Sequence, residues 1–144
     1  MGMATRKISP LDYDAVFGSA SSKTSQGVTS TSTYTPVLSV TITPLHSGRI
    51  IVHGHATFLH STNNQGPDVK LTIGNTDIFG SNDVVTIPTA NQVYHWSAVG
   101  PVGLGGQSGN PLPIGVPVTV AMNLRSTGGA SVVFLNGTLW TEEF

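Results

Sequence analysis

Residues 49–60 read RIIVHGHATFLH. The even positions Ile50, Val52, Gly54, Ala56 and Phe58 form an apolar row, while Arg49, Ile51, His53, His55 and Thr57 form a mixed one. Side chains alternate between the faces of a β-strand, so this pattern predicts a half-buried strand whose even row lies on a core. The neighbouring stretches extend the pattern. In YTPVLSVTIT, Leu38, Val40 and Ile42 alternate with Ser39, Thr41 and Thr43, and PLHSG then supplies a turn. Further strands are expected at DVKLTIG, TDIFG, DVVTIP, QVYHWSAVG, VPVTVAMNLRS and ASVVFLNGTLWTEEF, separated by STNNQGPD, GN, GSND, GLGGQSGNPLPIG and STGGA. Those separators are rich in the residues that turns require. With about eight strands and no convincing helix, the chain is expected to be all-β, an antiparallel β-sandwich or jelly roll.

Two strands carry more detail. In VPVTVAMNL the set Val116, Val118, Val120, Met122 and Leu124 is expected to face the core, with Thr119, Ala121 and Asn123 outside. In ASVVFLNGTLW both faces are apolar, Val132 and Phe134 on one, Val133, Leu135 and Leu139 on the other. A strand apolar on both faces is either central between layers or buried against another subunit, and the second case places Val133, Leu135 and Leu139 at a subunit interface.

Residues 1–33 are different. GSASSKTSQGVTSTST lacks apolar periodicity and reads as an extended arm, with the sandwich domain spanning 34–144. Within the arm, Ile8, Leu11, Tyr13, Val16 and Phe17 form a short amphipathic patch expected to attach to a partner or to lie on the chain's own domain.

Composition narrows the function. The 144 residues suit one domain with one core. Charged residues are 9% of the chain and the net charge is −1, which leaves no basic stripe for phosphate contacts, so no nucleic-acid partner is expected. Cysteine is absent, which removes disulfides, thiolate catalysis and Cys-ligated metals together. No run approaches the roughly 18 apolar residues of a membrane span, and MGMATRKISPLDYD has no apolar h-region. A protein made in the cytoplasm and not bound to membrane is the expectation.

Three of the chain's 5 histidines stand in the opening stretch, and the H-x-H of His53 and His55 is a metal-site spacing. GRIIVHGHATFLHSTNNQG resembles in part the first motif of the cupins, jelly-roll enzymes that hold a metal inside the barrel. Gly48, His53, His55 and Gly66 match with one residue too few before His53; the motif's glutamate is missing, with His60 near its place. In the second motif Pro113 and Gly115 match, but Val118 replaces the last ligand and Asn123 falls one residue late. Two ligands do not hold a catalytic metal, and odd positions point away from the core. The expectation is therefore no metal and no cofactor, with His53 and His55 kept as a weak alternative. The acids Asp12, Asp14, Asp68, Asp77, Asp83, Glu142 and Glu143 are scattered, and Asp12/Asp14 and Glu142/Glu143 read as solvated termini. No paired carboxylates, G-x-S-x-G elbow or P-loop appears, so the chain is not expected to be an enzyme. Tyr94 and Trp96, on one face of VYHWSAV, are the candidates for stacking on a sugar.

The arm GSASSKTSQGVTSTSTYTPVLSVTITP, the strand SGRIIVHGHATF and the ending SVVFLNGTLWTEEF together resemble the small β-sandwich proteins of tailed-bacteriophage virions, such as capsid decoration and head-fibre proteins. The resemblance implies a non-enzymatic structural protein of the virion, commonly a homotrimer, whose arm attaches to the major capsid protein or another virion protein. A carbohydrate- or receptor-binding tail-fibre tip, using Tyr94 and Trp96 or the 100–115 loop, is the first alternative, and a degenerate cupin the second.

Overall fold

The computed structural model describes residues 19–22 and 25–144. Ten strands appear in chain order: β1 (Ser19–Ser22), β2 (Gln26–Val28), β3 (Thr35–Ile42), β4 (Ile50–His60), β5 (Pro67–Ile73), β6 (Thr76–Asp77), β7 (Asp83–Val84), β8 (Tyr94–Val102), β9 (Val118–Ser126) and β10 (Val132–Glu143). One sheet, sheet A, runs β1-β10-β4-β8 with β2 also on β10; sheet B runs β3-β9-β5-β6 with β7 also on β5. β1 and β2 pair with successive parts of β10, and β6 and β7 with successive parts of β5. Counting each such couple as one interrupted strand leaves eight, four per sheet, and every pairing is antiparallel. The order in which the chain visits the two sheets is that of a jelly roll.

The parity expected of the opening stretch holds. Ile50, Val52, Ala56 and Phe58 are buried between the sheets, facing Val69, Leu71, Val120, Met122 and Leu124. His60 ends the same row and is fully buried. Its Nδ1 lies 3.0 Å from the Thr62 N and 3.1 Å from the Thr62 carbonyl, and its Nε2 lies 3.3 Å from Ser126 Oγ. Ser126 Oγ in turn donates to the Ala130 carbonyl. A buried polar ring is tolerated when its bonds are made. Gly54 keeps the middle of the row low. A Cβ there would stand 2.9 Å from Leu71 Cδ2 and 3.2 Å from Trp96 Cζ3, so its absence makes room for the indole.

Three expectations change. The sandwich begins by Ser19 rather than at residue 34, because β1 and β2 form an edge strand along β10. Their Ser/Gly-rich sequence shows no alternation because the pairing is carried by the backbone, and of β2 only Val28 enters the core. Val116 is exposed, because β9 starts at Val118 and the residues before it belong to the loop. Leu139 faces the core and is 0% exposed, so it cannot meet a neighbouring subunit. The cause is a β-bulge: between Phe134 and Asn136 the register against β4 shifts by one residue, which exchanges the faces of everything after it.

At one end of the sandwich β3, β5, β8 and β10 finish while β4 and β9 begin. The loops there are cross-tied. Leu112 N–H donates to Gly48 O at 2.9 Å, Gly115 N–H to Pro44 O at 2.8 Å, and Phe144 N–H to Arg49 O at 3.0 Å. Gly48 has φ +66°, and a Cβ would lie 2.1 Å from Leu112 O, so the turn requires glycine.

Candidate functional site

The outer face of sheet A collects most of the chain's histidines. Register places Trp140, His53 and Val99 side by side across β10, β4 and β8. Thr138, His55 and Ser97 form the next row, and Asn136, Thr57 and His95 the one after. His53 stacks on Trp140 with ring centroids 4.7 Å apart and planes 3° from parallel. Its Nε2 lies 3.4 Å from Glu142 Oε2. His55 and His95 stack more loosely at 6.3 Å. His95 Nδ1 is 3.1 Å from Thr57 Oγ1, and Thr57, although on the outward row, is buried. Glu142 is the only Asp, Glu, Lys or Arg that the described strands of sheet A direct to this face. Trp140 remains 37% exposed and Val99 58% exposed, beside half-buried Ile51, Leu59, Val133 and Leu135. The arrangement is a flat surface with aromatic and aliphatic groups, neutral polar groups and little charge.

His53 and His55 both point outward, as their parity predicts, while His60 points inward, so the three cannot converge on one ion. Among the described residues no group of three or more His, Cys, Asp or Glu could hold a metal. Trp96 is 3% exposed and its indole packs over Gly54, so it is unable to stack on a sugar. Tyr94 lies at the end of that strand and is exposed. Val133 and Leu135 keep the outward position expected of them. Ile8, Leu11, Tyr13, Val16 and Phe17, and with them Asp12 and Asp14, lie outside the described residues.

Glu143 is not a solvated terminus. Its Oε1 accepts the N–H groups of His46, Ser47 and Gly48 at 3.0, 2.7 and 2.7 Å, and its Oε2 that of Leu45 at 2.9 Å. Burial alone would raise its pKa, but the four backbone donors outweigh it and hold the carboxyl below its ordinary value. The outer face of sheet B carries the chain's other ionic cluster. Arg125 Nη2 and Nε both reach Asp68 Oδ2 at 2.7 Å. Lys70 Nζ pairs with Asp77 at 2.7 Å, and the Tyr34 ring lies against both cations, 4.2 Å from Lys70 Nζ and 4.6 Å from Arg125 Cζ. Burial first, then the hydrogen bond and charge of Asp68, push the Tyr34 phenol up to about 12.

The sequence placed His53, His55 and Thr57 in one row but missed Trp140, Val99 and His95 as their neighbours. Val99 and His95 could have been found from the parity of β8. Trp140 could not, because the bulge reverses its face. Compared with protein-family models and with curated proteins, the chain matches none.

Proposed function

We propose that the chain is a non-enzymatic structural protein of a virion, assembling as a homo-oligomer through the outer face of sheet A. The observation that carries the assembly reading is the row Trp140–His53–Val99 on a face to which the described strands of sheet A direct Glu142 as their only Asp, Glu, Lys or Arg. Water-facing sheets usually alternate apolar-in with polar and charged-out. This one is instead depleted of charge and enriched in aromatic and aliphatic groups, the composition of an interface centre. Its size fits as well. Eleven residues of β4 and four strands' width give roughly 700 Å², against about 800 Å² per partner in a standard interface. The virion assignment rests on the resemblance of the arm, the β4 stretch and the last strand to phage sandwich proteins, and a trimer is the state that resemblance favours.

Light scattering on the full chain tests assembly. The expected result is an oligomer that Val99→Glu dissociates into a folded monomer with an unchanged circular-dichroism spectrum. A monomer at high micromolar concentration overturns the assembly reading. For the virion assignment, the chain should bind assembled but not unassembled capsid encoded beside it, and Leu11→Ser with Phe17→Ser should abolish that binding. Substitutions serve here in place of removing residues 1–33, because β1 and β2 are part of the sandwich.

One observation favours the receptor-binding alternative: Trp140 is exposed and held in place by His53. A glycan-array signal lost in Trp140→Ala would support that reading, whereas Trp96→Ala, at a buried indole, would not bear on it.

A further inference from the structure

His53, His55 and His95 all present their rings on the outer face of sheet A, and the described strands direct one carboxylate, Glu142, to that face. Glu142 Oε2 lies 3.4 Å from His53 Nε2, so a proton taken by that ring meets a negative charge. His55 and His95 have no such partner. Their rings stand 6.3 Å apart, and the residues beside them are neutral: Asn136 and Thr138 on β10, Ser97 and Val99 on β8, and Thr57 on β4. His95 Nδ1 is 3.1 Å from Thr57 Oγ1, a contact with a hydroxyl and not with a charge. The edge segments Ser19–Ser22 and Gln26–Val28 contain no titratable residue. Glu142 stands opposite Ile51, about 13 Å along the strand from His55, and Arg49, just before β4, is about 20 Å away.

Imidazole, with an ordinary pKa of about 6.5, gains its charge between pH 7 and 5. In the single chain His55 and His95 are exposed, and water solvates their cations. Covering the face removes that water. A second copy laid face to face brings the same three imidazoles and the same carboxylate, so protonated rings outnumber carboxylates however the copies are turned. Two unmatched cations per copy are then desolvated close to one another, which disfavours the covered state. We propose that the assembly face is acid-gated: copies hold together while His55 and His95 are neutral, and separate when these rings take up protons. The proposal rests on assembly through this face. The sign follows from linkage. The free chain binds protons that the assembled chain excludes, so affinity is full above about pH 7 and falls with acid. Each ring that must stay neutral weakens association about 25-fold between pH 7 and pH 5.

Sedimentation velocity of the full chain at pH 7 and pH 5, at one ionic strength and with circular dichroism at both values, tests the gate. A folded oligomer is expected at pH 7 and a folded monomer at pH 5, with Kd raised by at least about 25-fold. The double variant His55→Gln with His95→Gln should show nearly the same Kd at both pH values, while His46→Gln, in the loop before β4, should keep the wild-type dependence. Dilution calorimetry of the wild type at pH 6, in two buffers of different ionisation enthalpy, counts the protons directly: about 1.5 per copy should be taken up on dissociation. A wild-type Kd equal at the two pH values, an absence of proton uptake, a double variant that dissociates in acid as the wild type does, or loss of the folded spectrum together with the oligomer each overturns the gate. A monomer at both pH values is a distinct result: it overturns the assembly reading itself, and the gate with it.

Discussion

Glu143 offers the most direct test of how the cross-tied end of the sandwich is held. Four consecutive backbone N–H groups, from Leu45 to Gly48, converge on its carboxylate at 2.7–3.0 Å. Replacing it by alanine removes both acceptor oxygens, and with them four hydrogen bonds, leaving the turn's donors only water. Bonds to a charged group contribute about 1.5–3 kcal/mol each when buried, but Leu45 and His46 are exposed and their N–H groups rehydrate at little cost. Only the Ser47 and Gly48 donors are partly shielded, which gives about 2 kcal/mol for Glu143→Ala, or about 6 °C in a chain of this size. Glu143→Gln keeps one acceptor oxygen and should lose about half as much. The sign with pH follows from linkage. A carboxyl held below its ordinary pKa stabilises the fold fully above the unfolded value, about 4.3, and loses that contribution as pH falls through the folded value. The gap between wild type and Glu143→Gln should thus be constant from pH 8 to 5 and close below about pH 4. Thermal melts at pH 7 and pH 3, with amide exchange of residues 45–48 as a local readout, measure both. An equal gap at the two pH values, or unchanged exchange at Ser47 and Gly48, would refute the reasoning.

The bulge makes its own prediction: Leu139→Ala should cost about 2–5 kcal/mol in urea unfolding, while Val133→Ala, half-exposed, should cost under about 1 kcal/mol. If the two costs came out equal, the exchange of faces after Phe134 would be wrong. Trp96→Ala should destabilise by about 3–5 kcal/mol, and Trp140→Ala should leave the melting temperature of the monomer nearly unchanged, checked by calorimetry. Tyr34, pushed up to about 12, should resist ionisation in an ultraviolet titration until well above pH 10, and the stability it lends should be full below pH 10 and fade between 10 and 12. A titration in which every folded-state tyrosine ionises near pH 10 would contradict the buried contact with Asp68.

The fold class was legible because period-two alternation survives wherever a strand has one wet and one dry face. β4 and the middle of β9 are such strands, and there the expected inward residues are the buried ones, while in β3 Leu38 and Ile42 are buried and Val40 partly so. Alternation says nothing about a residue that inserts itself into a strand. Leu135 in VVFLNGTL looks like any other apolar position, yet the register shift beside it moved Leu139 inward and Trp140 outward. Polar edge strands are equally silent, since backbone pairing needs no side-chain pattern, and β1 and β2 therefore read as linker. The burial of Trp96 was not legible for another reason. Its burial depends on Gly54 and Ala56 across the sheet, small residues that were visible as a gap in the inward row but carry no information about what fills it. The Glu143 contacts join positions about a hundred residues apart, beyond the reach of any local signal.

The two outer faces of the sandwich explain why assembly is assigned to sheet A. Sheet B's outer side is occupied by groups that satisfy one another: Arg125 with Asp68, Lys70 with Asp77, Asn123 Nδ2 with Thr72 Oγ1 at 2.9 Å, and Thr41 Oγ1 with Thr119 Oγ1 at 3.3 Å. Covering that face with a partner would desolvate ion pairs that are already made, and burying such pairs returns little. On sheet A the same operation removes Val99 and Trp140 from water and desolvates one carboxylate, Glu142, which already has His53 beside it. Apolar area removed from water contributes about 25 cal/mol per Å², so the balance between gain and desolvation favours sheet A. Of the eight charged residues within 25–144, four, Asp68, Lys70, Asp77 and Arg125, pair on the outer face of sheet B, and that asymmetry favours leaving this side to water.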